Sequence, residues 1–406
     1  MRQTNKQIVQ NLRSHYDTSL YGLGLTKFVK IRIGMGLLRT RQQHHSVESI
    51  REAMIDLREM YPNAGAWEMV SLLFHEHTMS VSRNVVIAYF SKYEVNLIRQ
   101  HKARRLQRRR FWAAGVNDLF AVDRHNRWLR FGLALHTGIE PFTGRIMWMR
   151  VWHSNQNPQL ILTYYLDTIQ ELDMPMVTQS DPGSENFGIA NAHTMLRQWH
   201  DPTLQGTLQH RWMRTKKNVM PEITWSQLWR HSRLRELLRQ WSTLCNDGCS
   251  LIFRWIFIPW LQCELDGYKD RINNTAKRHD RNKVLPHGVP NLIYDSPDDF
   301  GALDFKIILE PGAINHVRNL YVDPNHAVFE LVPQDFGDFM QQCYDELGRP
   351  IVDCRSAWDF LGFMSSCHHQ WCFLMMIWTT TSYHSWKTTR TCHFMTEMME
   401  LTIWVV

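Results

Sequence analysis

Asp118-Leu119-Phe120-Ala121-Val122-Asp123-Arg124-His125-Asn126 is the stretch on which the fold turns. Four apolar residues run without a break into a carboxylate and then into the turn pair His125-Asn126. A short apolar run bounded by turn residues is the pattern of a strand buried on both faces. Downstream, Trp128 to His136 and Arg145 to Trp152 are apolar and aromatic, punctuated by Thr137-Gly138 and Thr143-Gly144. That spacing predicts three consecutive antiparallel strands. Asn157 is then placed to cap a helix opened by Pro158, with Leu160, Ile161, Tyr164, Tyr165 and Ile169 on its apolar side. Pro175 to Gln179 predicts a fourth, buried strand, followed by Ser180-Asp181-Pro182-Gly183. Further helices are predicted over Asn186 to Trp199 and from Pro221, which puts Glu222 in a first turn. Three strands, a helix, a strand and then helices make an α/β domain with a mixed sheet.

Upstream, residues 1–98 read as helical. Lys6 to Leu12 and Val47 to Met60 carry apolar residues at helical spacing, and Ser46 is placed to cap the second run. Helices are also predicted over Ala66 to His75 and Ser80 to Leu97, with Gly22, Gly24, Gly34 and Gly36 turning the chain earlier. Short helices joined by tight turns fit helix-turn-helix modules and equally a plain bundle. Between this region and the first strand lies Arg99 to Arg110, in which seven of twelve residues are cations: Arg99, Lys102, Arg104, Arg105, Arg108, Arg109 and Arg110. Like charges this dense repel one another and call for an acidic partner, so the segment reads as a linker for nucleic-acid backbone or nuclear import, with a solvated helix end as the alternative.

At 406 residues the chain is long enough for two or three domains, and its net charge of +7 favours a polyanionic partner. The boundaries read as 1–98, a basic linker 99–112, a core 113–295, an extension 296–360, and an irregular tail 361–406. The first ten residues have no apolar signal segment. Leu251 to Leu261 is broken by Arg254 and too short for a bilayer. A nuclear or other intracellular location is expected. All eight cysteines fall at Cys245 or later and read as free thiols; Cys367, His368, His369 and Cys372 have metal-capable side chains in no zinc spacing.

Asp123 ends one predicted strand, Asp181 follows another, and Glu222 opens a helix. They stand 58 and 41 residues apart. Acids at strand ends can converge on one edge of a sheet, and a helix packed beside that edge can add a third. Three clustered carboxylates repel one another unless a cation joins them. Hard divalent ions take oxygen ligands, and two of them can stabilise both oxygens of an in-line displacement at phosphorus. Asp118 competes with Asp123 on spacing, and Glu185 with Glu222.

The local words narrow this. Asp118 to Trp128 resembles the first catalytic strand of integrase core domains. Thr178-Gln179-Ser180-Asp181-Pro182-Gly183-Ser184-Glu185-Asn186-Phe187 looks like their second acidic motif. Asn218 to Leu228 is similar to the third, in which a Glu opens a helix and a Trp follows. Arg271 to Arg281, with Pro286 to Pro290, resembles the Asn- and Arg-rich end of such domains. The likeness covers roughly residues 110 to 295 and is strongest to integrase-core proteins of eukaryotic, notably fungal, transposon origin.

The resemblance implies an RNase H-like fold, a Mg²⁺ or Mn²⁺ pair held by Asp123, Asp181 and Glu222, and DNA strand transfer. It implies that Asn186 positions the strand near Asp181, and for Arg214, Lys216 and Lys217 it leaves two roles open, holding phosphates or surface solvation. Joining two DNA ends suggests more than one copy of the chain. The zinc module of retroviral integrases is missing, because His44, His45, His75 and His77 have no Cys near them; no zinc is expected. Two other functions stay open: a transposon-derived DNA-binding protein without chemistry, and a nuclease for RNA in hybrids.

Overall fold

A computed structural model describes residues 4–13, 16–18, 20–62, 64–95, 112–213, 218–231, 250–277, 285–352, 356–357 and 359–363. The chain divides into two units. One comprises Met1–Asn246 and Phe257–Leu331, the other Asp247–Ile256 and Val332–Val406.

The centre of the first unit is a five-stranded sheet in the order β3-β2-β1-β4-β5, from β1 (Leu119–His125), β2 (Ala134–Glu140), β3 (Arg145–Trp152), β4 (Val177–Ser180) and β5 (His210–Trp212). β1, β2 and β3 are antiparallel neighbours, whereas β1 pairs with β4, and β4 with β5, in parallel. A parallel return needs a crossover, and the helix capped by Asn157 supplies most of it. It runs over Pro158–Leu172, with the Asn157 side chain accepting from the Gln159 N–H.

Numbered in chain order, the helices are α1 (Asn5–Leu12), α2 (Leu25–Gly34), α3 (Thr40–Gln43), α4 (Arg51–Met60), α5 (Ala66–His77), α6 (Arg83–Tyr93), α7 (Pro158–Leu172), α8 (Phe187–His200), α9 (Val219–His231), α10 (Ser250–Asn273), α11 (Pro290–Asp295), α12 (Pro311–Tyr321) and α13 (Gln334–Glu346). Side chains alternate along β1. Phe120 and Val122 enter a core with Ile161, Leu162 and Tyr165 of α7, Ile189 and Leu196 of α8, and Ile314 and Val317 of α12. Ala121 and Asp123 face the other way, where α9 packs against β1. The core thus draws on chain beyond residue 295: Met174 and Ile307 form a β-bridge, as do Val116 and Asp304.

Helices α4 to α6 enclose a core of their own, built on Ile50, Met54, Leu57, Met69, Leu72, Val86 and Phe90. Arg271 lies over the Tyr61 ring at 5.0 Å, and the Ser71 and Thr275 hydroxyls are 2.7 Å apart, which ties this bundle to the end of α10. In the second unit, Tyr344 of α13 meets Trp255 and Phe360 edge to face at 5.9 and 5.6 Å. Among the described residues no helix is long and apolar enough to cross a membrane.

β3 is an outer strand, and two amides of α10 cover its open side. Asn273 Oδ1 accepts from the Ile146 N–H and its Nδ2 donates to the Ile146 carbonyl, both at 2.8 Å. Gln262 repeats the arrangement, accepting from the Val151 N–H at 3.1 Å and donating to the Met149 carbonyl at 3.0 Å. Eleven helical residues rise about 16 Å, close to the span of a five-residue step along a strand.

Three expectations shift. Trp128 to His136 is not one strand: Leu129–Phe131 is a 3-10 turn and β2 begins at Ala134. Gly138, read as a turn, lies inside β2 because a Cβ there would run into the Trp148 ring on β3. α4 begins at Arg51 and α6 at Arg83, the latter capped by Ser82. β5 comes in addition to the strands expected. The segments 96–111, 214–217, 232–249 and 364–406 lie outside the described residues, and with them most of the expected tail and the group Cys367, His368, His369 and Cys372.

Candidate active site

The site is built by a strand register. Val122 of β1 is level with Ser180 of β4 in the parallel ladder, so Asp123, which stays in β1 opposite Thr137 of β2, stands beside Asp181, the first residue past β4. Asn218, just before α9, braces both strands. It is fully buried, its Nδ2 donates to the Val122 carbonyl at 2.8 Å, and its Oδ1 accepts from Gln179 Nε2 at 3.3 Å. Nearly two turns into α9, Trp225 Nε1 donates to Asp123 Oδ2 at 3.0 Å. The Trp225 ring stacks on His125, with centroids 5.0 Å apart and planes 26° from parallel. Glu222 stands exposed in the first turn of the same helix.

The electrostatics follow from this crowding. Burial pushes the Asp123 carboxyl up to about 7; the Asp181 charge and, to a smaller extent, that of Glu222 push the same way, while the Trp225 N–H opposes them. Burial also raises Asp181. His125 is held down to about 4 by burial and by Arg127, so it stays neutral at physiological pH.

As the side chains lie, no three His, Cys, Asp or Glu residues among the described residues are gathered to hold an ion together. Two features nevertheless fit a divalent cation. Asp181 Oδ1 is buried with no hydrogen-bond partner, and the Asp123 charge is disfavoured by burial and then by its acidic neighbours. Carboxylate oxygen is the donor that Mg²⁺ and Mn²⁺ prefer.

The competing acids lie elsewhere. Asp118 is at the opposite end of β1, where its Oδ2 accepts from the Ala114 N–H at 3.0 Å. Glu185 is buried and paired with Arg124 at 3.0 Å. Arg124 follows Asp123 directly and so belongs to the other face of the sheet. A Cβ at Gly183 would displace the Glu185 carboxylate from its place beside Arg124 and Asn186. Asn186 is buried, donating to Glu185 Oε1 at 3.2 Å and to the Asp181 carbonyl at 3.4 Å, so it braces the loop behind Asp181. Arg99, Lys102, Arg104, Arg105, Arg108, Arg109, Arg110, Arg214, Lys216 and Lys217 lie outside the described residues.

Sequence reasoning did not find Asn218, Trp225 and His210 as supports. His210 of β5 sits between two hydroxyls of β4, Thr178 Oγ1 at 2.8 Å and Ser180 Oγ at 3.0 Å. The hint that the sequence carries is the Trp three residues after Glu222, a spacing that makes the two neighbours on a helix.

Residues 111–289 match the family model of the integrase core domain. No curated protein matches the chain. The matched integrase-core segment contains all five strands, α7 to α10, and each of Asp123, Asp181 and Glu222. Integrase core domains act in general as polynucleotidyl transferases on DNA and use divalent metals.

Proposed function

We propose that this chain is a DNA integrase or transposase, of transposon origin, in which Asp123, Asp181 and Glu222 serve divalent-metal-dependent phosphodiester cleavage and strand transfer. The observation that carries the reading is the emergence of Asp123 and Asp181 from adjacent parallel strands, beneath the helix that bears Glu222. The three acids would hold Mg²⁺ or Mn²⁺, which supplies charge neutralisation at the attacking and leaving oxygens when bound. A water or a DNA 3′-hydroxyl forms the new P–O bond as the bond to the departing 3′-oxygen breaks. The chain's own part is to bind, orient and hold: Asn218 ties β1 to β4 beside the two acids, and Trp225 fixes one oxygen of Asp123. The cations of Arg99 to Arg110 would meet DNA backbone, and activity on two DNA ends in the nucleus would engage more than one copy.

The test is an oligonucleotide assay with duplex DNA and an RNA–DNA hybrid. Nicking or joining of duplex DNA is expected with Mg²⁺ or Mn²⁺ and not with EDTA, and D181N should lower it by at least two orders of magnitude. Equal turnover by D181N refutes the assignment. A DNA-binding protein without chemistry is the second reading, favoured by the lack of a gathered three-acid cluster among the described residues; salt-sensitive binding without any cleavage would establish it.

A further inference from the structure

Trp225 is 5% exposed, and its ring already has a packing partner in His125. Core packing alone would be satisfied by any aromatic ring. The indole N–H is another matter, because it donates and cannot accept, so it needs a fixed acceptor. It finds one in Asp123 Oδ2 at 3.0 Å. Asp123 and His125 project from the same face of β1, so a single indole grips that strand twice, once by hydrogen bond and once by stacking. Glu222 precedes Trp225 by three residues on α9, which makes the two neighbours along the helix. A rotation of α9 that moves Glu222 therefore also moves the donor on Asp123.

We propose that Trp225 is a positioning residue, whose indole N–H turns the Asp123 carboxylate so that its other oxygen is presented to a divalent cation in step with Glu222. This rests on the metal-binding reading above and goes beyond it. Without the indole donor, the Asp123 carboxylate keeps only the hydrogen bond from the Arg124 backbone N–H, and the ion must complete its ordering on binding. Partners that orient metal ligands in this way typically account for about 10–100-fold in affinity.

The experiment is a Mn²⁺ titration of the full chain followed by electron paramagnetic resonance, with no DNA present. Two replacements of Trp225 are compared, W225F and the isosteric 3-benzothienylalanine, in which sulfur stands for N–H and the two-ring shape is kept. Mn²⁺ affinity should fall about 10–100-fold in both, and the isosteric protein should keep its unfolding temperature in EDTA to within a few degrees. Should W225F fail to fold, the isosteric replacement still decides. D123N separates the two layers of the argument. Binding lost in D123N but undiminished in the isosteric protein overturns the role of Trp225 alone. Binding undiminished in D123N overturns the metal site itself, and this proposal with it.

Discussion

Replacing Asp123 with Asn should make the metal-free protein more stable while removing the proposed strand-transfer activity. Asp123 titrates near 7 in the folded chain against 3.8 for an ordinary aspartate, because it is buried and faces Asp181 and Glu222. A folded value above the unfolded one means that the native state holds its proton more tightly. The associated stability is complete at low pH and drains away as the pH rises from 3.8 towards 7. A rise of this size corresponds to about 4 kcal/mol at full ionisation, and partial solvent access brings the working figure to about 2–4 kcal/mol. Asn carries no charge, and its carbonyl can still accept from Trp225. In EDTA at pH 8, D123N should thus melt roughly 5–15 °C above the parent, using about 2–4 °C per kcal/mol for a domain of this size. At pH 5 the gap should shrink to about 1–2 kcal/mol, since that pH lies only a little above the unfolded value. Added Mg²⁺ should raise the parent and leave D123N nearly unmoved. Differential scanning calorimetry over this pH series is the assay. Equal melting of the two proteins at pH 8 in EDTA would mean that neither burial nor the neighbouring acids disfavour the Asp123 charge, and the electrostatic account of the site would fall.

Two further outcomes follow from the supports around the sheet. His136 and His193, held down to about 3, and His210, held down to about 4, are buried and neutral in the folded chain. Their contribution is intact above pH 6.5 and is lost as the pH falls towards 4, at about 2 kcal/mol each by pH 5; denaturant midpoints should drop steeply from pH 7 to 5, and a flat profile would contradict this. Asn273→Ala strips both partners from the Ile146 main chain and should cost about 2–4 kcal/mol. Combined with Gln262→Ala it opens the outer side of β3 and should raise light scattering at equal protein concentration, while unchanged scattering would show that the edge is protected by other means.

Most of the sheet could be read from the sequence because its signals are local. β1 and β3 are apolar runs bounded by turns, and Pro158 and Asn157 announce α7 by their own chemistry. What escaped was set by distant partners. Gly138 belongs in β2 because the Trp148 ring, ten residues on, needs its missing side chain. β5 is three residues long and exists through its pairing with β4, so no periodicity could announce it. In the candidate site, Asp181 follows β4 and Glu222 lies in the first turn of α9 as expected, whereas β1 runs two residues past Asp123 because β2 goes on pairing with it. Asn218 and Trp225 were not legible, because the groups they hold, Val122 and Asp123, are about a hundred residues away in the chain.

The parallel pairing of β1 with β4 has a kinetic consequence. Asp123 and Asp181 become neighbours only after β2, β3 and α7 have been laid down and the chain has doubled back, and Glu222 joins only after β5. Such long closures come late in folding. A nascent chain or a proteolytic fragment that stops short of α9 would own two of the acids and lack the helix that completes the set. On the proposed reading, cation uptake would report on the finished domain, and a chain truncated upstream of residue 219 would lack Glu222 however well its sheet had formed.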